Sequence, residues 1–368
     1  MKPMILLLAA VAATEPSIDL TQVEGFQSNV VTHHQGYFPV IDKTPDGRAV
    51  AILRGGGGHI GIGGRLDLFF SNDGIAWHSK RTAVDTSADD RNPAFGITPD
   101  GRFLLGIHHQ AGYSGDGVYT PSLDLARDLQ LYSDDEGITW SAFSHVRLGE
   151  VGTHSPFGRI VRLQDGTYMQ NVYGEHAPGV SGIPAPSQEV RDYAYAVRST
   201  DEGATWGDPS LIAAGHNETA LLELPDGSLL AASRDDLSGS HLDLYRSEDK
   251  GRSWSHVVKA TDKSQHPADL IDLGERNILL IFGNRRDEDK DIRGILSRDG
   301  GKTWDTENQM RFTAPVQGDF GYPSGVVMGE NLLIVHYSAG PTTTSYDGSK
   351  ARCIASLVPI EAILETAD

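Results

Sequence analysis

The chain of 368 residues contains one cysteine, Cys353, which rules out an internal disulfide and a cysteine-rich metal site. It has no surplus of basic charge. Lys and Arg number 31 against 50 Asp and Glu, a net charge of −19. Nucleic-acid binding calls for a basic face, so that class is disfavoured, and an anionic ligand would need a local basic pocket. Long apolar runs are missing after the first residues; no segment there nears the roughly 20 residues of a membrane span. Helical patterning is scarce. Glycine is plentiful at 42, which suits an all-β chain with many turns.

Tryptophan is sparse but regular in position. All five copies end one motif: SNDGIAW at 71–77, SDDEGITW at 133–140, STDEGATW at 199–206, SEDKGRSW at 247–254 and SRDGGKTW at 297–304. The first is one residue shorter. Each follows a β-like run such as LDLFFS or LDLYRS. Asp can accept backbone N–H groups across such a turn, Gly supplies positive φ and Trp packs back on the sheet. The motif reads as a structural staple without chemistry.

A second repeat interleaves with the first: strand, PDG-like turn, strand. Examples are NPAFGITPDGRFLLGI and ETALLELPDGSLLAAS, and there are six copies in all. The units recur every roughly 50–65 residues, which fits radial blades better than a solenoid. The expected fold is an all-β, six-bladed β-propeller of four-stranded antiparallel blades. Residues 13–368 would form one domain, with ARCIASLVPI closing the ring against N-terminal chain. Residues 1–12 read as a secretory signal, implying a secreted or periplasmic protein; an ordinary hydrophobic strand is the alternative.

Propeller sites form where inner strands begin and second strands end. The repeat alignment nominates Tyr37, Arg91, His154, Glu218, His266 and Tyr322 at the starts, and Arg54, Tyr173, Arg234, Arg285 and Tyr337 among the ends. His108, His109 and His336 also fall at such positions. A metal cluster of these histidines is conceivable, but single channel-lining hydrogen bonders are the simpler reading, and no cofactor is expected.

The repeats resemble those of the sialidase superfamily, whose blades carry the SxDxGxTW motif called the Asp box. The resemblance implies a tyrosine nucleophile with a glutamate that takes its proton, and an arginine triad for a substrate carboxylate. NETALLELPDGSLLAASR matches as Glu218 and Arg234, DIRGILSRDGG as Arg293, and FGYPSGVV as Tyr322. Two features depart from the family. Its first-blade Arg-Ile-Pro is here Tyr37-Phe38-Pro39, so Arg91 becomes the substitute third arginine. Its acid/base Asp loop is here RGGGGHIGIGGR, leaving His59 or a neighbouring Asp89 or Asp90 for the proton. The expected function is an exo-glycosidase acting on a sialic-acid-like or other acidic terminal sugar, with a carbohydrate as its partner. Alternatives are a uronate-directed polysaccharide lyase, another glycosidase such as one for a rhamnose-containing glycan, or a non-catalytic glycan-binding propeller.

Overall fold

The computed structural model describes residues 18–120, 126–146, 148, 154–180, 182–286, 290–341 and 344–367. The stretch read as a signal, 1–12, lies outside these. Each sequence repeat becomes an antiparallel meander. The first comprises Tyr37–Lys43, Ala49–Gly55, Arg65–Ser71 and His78–Val84. The second runs Asp89–Ile97, Phe103–Gln110, Arg127–Ser133 and Ser144–His145, and the third His154–Arg162, Tyr168–Gly174, Tyr193–Ser199 and Gly207–Ala214. The fourth is His216–Glu223, Leu229–Asp235, Leu242–Ser247 and Ser255–Lys259. The fifth, Gln265–Asp272, Ile278–Asn284, Asp291–Ser297 and Met310–Arg311, gains Ile18–Asp19 as a parallel edge. In the sixth, Phe320–Met328, Asn331–Ser338 and Arg352–Pro359 pair onward to the N-terminal strand Gln27–His33, the closure expected from ARCIASLVPI.

These strands make five sheets rather than six separate ones. The second and third meanders fuse into an eight-stranded sheet through a short parallel pairing, Gly158 with Ala94 and Arg159 with Phe95. The inner strands neighbour one another in chain order, and Phe320–Met328 returns to Tyr37–Lys43. The fold is thus all-β and propeller-like.

Apolar layers fill the gaps between successive units. Val50, Ile52 and Leu68 of the first meet Phe95, Phe103 and Leu105 of the second; Leu230, Leu242 and Leu244 of the fourth meet Leu270, Leu280 and Phe282 of the fifth. Burying each such side chain contributes about 1.5–3 kcal/mol.

The tryptophan-ended turns act between units as well as within them. In the second turn Ser133 Oγ accepts from Gly137 N, and Asp135 accepts from Thr139 N at 2.8 Å and Thr139 Oγ1 at 2.6 Å. The shortened copy keeps the scheme: Gly74 N bonds Ser71 Oγ, and Ile75 N and Ala76 N bond Asp73. The glycine three residues before each tryptophan has positive φ and faces the preceding unit. A Cβ there would lie 2.5 Å from Leu68 at Gly137, 2.4 Å from Leu104 at Gly203 and 2.3 Å from Leu230 at Gly301. Gly74 meets Leu333 of the sixth unit, so the first and last units are clasped in the same way.

Candidate functional site

One backbone irregularity builds the site. The register slips near the start of five inner strands: between Tyr37 and Val40, Arg91 and Ala94, His216 and Thr219, Gln265 and Ala268, and Gly321 and Ser324. Such bulges re-aim side chains. Four of them contain an X-Pro pair: Phe38-Pro39, Asn92-Pro93, His266-Pro267 and Tyr322-Pro323. Proline lacks an N–H, so it suits a position outside the ladder. Phe38, Asn92 and Tyr322 adopt φ of 52°, 44° and 53°. Each costs of order 1–3 kcal/mol, strain held by the surrounding structure.

The bulged residues meet. Tyr322 OH donates a short hydrogen bond to Glu218 Oε1, and Arg234 Nη1 donates to Glu218 Oε2 at 2.7 Å. Glu218 is buried, while Arg234 keeps 23% of its side chain exposed. The Phe38 ring lies 4.8 Å and the Phe157 ring 6.0 Å from that of Tyr322. Phe38, Asn92, Phe157 and Tyr322 line a pocket with prolines 39, 93 and 323. Asn92 Nδ2 reaches Tyr173 OH at 3.3 Å.

Electrostatics follow from burial. Burial, then the Glu218 charge, holds the Tyr322 phenol well above its ordinary range, so the proton stays on oxygen. Arg234 is raised; burial opposes this, but Glu218 and Tyr322 outweigh it. His266 is lowered to about 2 by burial and then by Arg234 and Arg285, and is therefore neutral. Its Nδ1 is buried without a hydrogen-bond partner among the described residues.

Arg285 is the second arginine beside the tyrosine. Its guanidinium carbon stands 5.8 Å from the Tyr322 ring centre, Nε donates to the His266 carbonyl and Nη1 to Asp319 at 3.2 Å. Asp319 Oδ2 also lies 2.7 Å from His59 Nδ1 and accepts from Tyr337 OH at 2.8 Å. Burial would raise Asp319, but the His59 bond, the His59 charge and Arg285 lower it to about 2. The His59 ring meets Phe38 edge-on at 4.9 Å. Arg91 lies above Phe38, 5.5 Å from the ring centre.

Tyr322, Glu218, Arg234, His266, His59 and Arg91 thus gather as the sequence suggests. Five other nominated residues do not. Arg293 is buried within the fifth sheet, where Nε bonds Asp291 at 2.9 Å and Nη1 reaches Gln309; Arg285, one strand earlier, takes the place beside Tyr322. Arg54 is fully buried and braces the glycine-rich loop, donating to the Gly58 carbonyl, the Gly61 carbonyl and Asp89. Burial lowers it to about 10, offset in part by Asp89. Asp90 is buried and caps its own loop through Thr86 N and Oγ1, so it carries no proton to the pocket. His154 is spent on the Glu175 carbonyl. The bulge turns Phe38 toward the pocket and leaves Tyr37 behind it, packed on Tyr337. The glycine run is held in place, because Arg54 donates to it on both sides of His59. Sequence reasoning missed Asp319; its one signal is a position three residues before Tyr322.

The inner strands thus form a ring, and Tyr322, Glu218 and Arg234 meet on it. The chain belongs to the BNR repeat-like domain family, which it matches over residues 59–335, within the sialidase superfamily. It is 24% identical over 316 residues to a sialidase of Micromonospora viridifaciens, covering 79% of this chain and 47% of that protein. The chain therefore spans about half the length of this curated relative. Among solved structures it resembles a protein of unknown function from Dyadobacter fermentans (TM-score 0.74, 19% identity, 92% of this chain and 100% of that one). It also resembles Trypanosoma rangeli sialidase in complex with sialic acid (TM-score 0.67, 15% identity, 95% of this chain and 61% of that one).

Proposed function

We propose that the chain is a six-bladed propeller and an exo-glycosidase of sialidase type, hydrolysing a terminal acidic sugar. The observation that carries this is the contact of Tyr322 OH with Glu218, itself paired to Arg234. A buried phenol is a poor nucleophile until its proton has an acceptor. Glu218 takes that proton as the tyrosine oxygen bonds the anomeric carbon, and Arg234 stabilises the glutamate beforehand. Because the phenol is neutral, its approach to an anionic sugar meets no like-charge repulsion.

Arg234 and Arg285 flank the tyrosine and supply the cationic wall for a sugar carboxylate. Tyr37 stands where the superfamily resemblance implies a third arginine, and Phe38 rather than Tyr37 lines the pocket, so the clamp is two-armed, with Arg91 at its edge. His59 protonates the leaving oxygen. Sialosides, uronides and rhamnosides incubated with the protein, with products identified by mass, test the reading. Hydrolysis of an acidic glycoside is expected, with Tyr322→Phe losing about 10³-fold or more in kcat. Undiminished turnover by Tyr322→Phe on every cleaved substrate would end this mechanism. A second reading, elimination from a uronate, draws support from Tyr37 in place of the implied arginine and an imidazole where a carboxylic acid is implied. Its mark is an ultraviolet-absorbing unsaturated product, which hydrolysis does not make.

A further inference from the structure

We propose that Asp319 is the positioning residue of the proton-transfer device, holding His59 in the tautomer and orientation that present its Nε2 to the leaving oxygen; this rests on the glycosidase reading above. His59 Nδ1 lies 2.7 Å from Asp319 Oδ2. Asp319 is held ionised, so it only accepts, and Nδ1 must carry a proton. Nε2 is then the nitrogen left to exchange protons with substrate and water.

The carboxylate is itself gripped from two further strands. Tyr337 OH donates to the oxygen that His59 uses, and Arg285 Nη1 donates to the other. From the opposite side, Arg54 holds the carbonyls of Gly58 and Gly61, the residues bracketing His59-Ile60, and Gly61 N bonds Asp89 and Tyr113 OH. Phe38 and Tyr37 close the remaining ring faces at 4.9 and 6.0 Å. Among the described residues, the charged and titratable groups around His59 are therefore Asp319 and Tyr37, with Arg285 and Tyr337 behind Asp319 and with Arg54, Asp89 and Tyr113 on the loop that carries it. An imidazole held against a carboxylate and aimed by a braced loop is the arrangement expected of a general acid and base.

The proton count closes. In the first step imidazolium Nε2–H passes to the leaving oxygen as its bond to the anomeric carbon breaks. The Tyr322 oxygen bonds that carbon, and the phenolic proton goes to Glu218. In the second step neutral Nε2 takes a proton from water, whose oxygen displaces the tyrosine oxygen, and Glu218 returns its proton to Tyr322.

Two measurements test this. Nitrogen-15 NMR of the imidazoles, assigned with His59→Gln, is expected to show the Nδ1–H tautomer of neutral His59 in the wild type and its loss in Asp319→Ala. This needs no substrate, so it stands or falls apart from the glycosidase reading. Finding Nε2–H in the wild type overturns the proposal. The second compares leaving groups on whichever glycoside is cleaved. Asp319→Asn and His59→Gln are each expected to lose about 10²-fold in kcat with a sugar aglycone and less than about threefold with 4-nitrophenol, which departs without a proton. Equal losses on both substrates for Asp319→Asn would mark a merely structural role through Arg285 and Tyr337, and would overturn the assignment.

Discussion

Replacing Gly301 with alanine tests the inter-unit clasp quantitatively. Gly301 has φ +77°, and an added Cβ would lie 2.3 Å from Leu230 Cδ1 and 3.3 Å from Leu230 Cδ2 and Cγ. Leu230 is fully buried in the layer between the fourth and fifth units, so it has no open space to retreat into. Two costs add. The left-handed backbone charges an L-residue about 1–2 kcal/mol. Overpacking of a filled core adds about 1–3 kcal/mol. Gly227 isolates the first cost: its φ is +81° and a Cβ there would meet nothing within 4 Å. Equilibrium urea unfolding, followed by the fluorescence of the turn tryptophans, should therefore show Gly301→Ala losing about 1–3 kcal/mol more than Gly227→Ala. Combining Gly301→Ala with Leu230→Ala should cost less than the sum of the two single changes, since the clash partner has gone. Equal losses at Gly301 and Gly227 would show that the turn does not brace its neighbour.

Two further outcomes are expected. Arg285→Ala should raise KM for an acidic glycoside about 10- to 100-fold, the worth of one charge-assisted bond, whereas Arg293→Ala should lower stability by about 1–3 kcal/mol, because buried Asp291 loses the Arg293 bond while keeping those from Arg311 and Asn284. Steady-state kinetics and urea unfolding of both variants separate the roles, and the reverse pattern would restore Arg293 to the site. His336 is fully buried and neither ring nitrogen has a partner among the described residues; burial, then Arg352, lowers it to about 3. Between that value and the ordinary 6.5 the unfolded chain binds a proton that the folded chain refuses, so its contribution is whole above 6.5 and shrinks as pH falls toward 3. From pH 7 to pH 5 this amounts to about 2 kcal/mol, and His336→Leu should abolish that share of the acid sensitivity. An unchanged pH dependence of unfolding would count against a neutral buried imidazole.

The repeats were legible because their physics is local. Ser, Asp, Gly and Trp of each turn bond and pack within eight residues, and the strands before them alternate in place. Glu218, Arg234 and Tyr322 were legible because the repeat alignment puts them at equivalent strand starts and ends, and those starts and ends do converge. What the chain pattern could not show is which of two plausible side chains wins a partner. Arg293 and Arg285 both sit on the fifth unit; buried Asp291 claims the first, and Asp319 with the Tyr322 ring claims the second.

The bulges decide the rest. A slip in register moves Phe38 rather than Tyr37 into the pocket, and nothing in YFPV alone specifies it. His59 and Asp319 lie 260 residues apart and meet only because the sixth unit closes against the first. The sequence by itself determined an all-β chain of repeated, turn-stapled units, since those signals act over a few residues. Only the tertiary structure decided which arginines, which aromatic and which histidine gather around Tyr322, because that depends on long-range packing and on competition among buried charges for a limited set of partners.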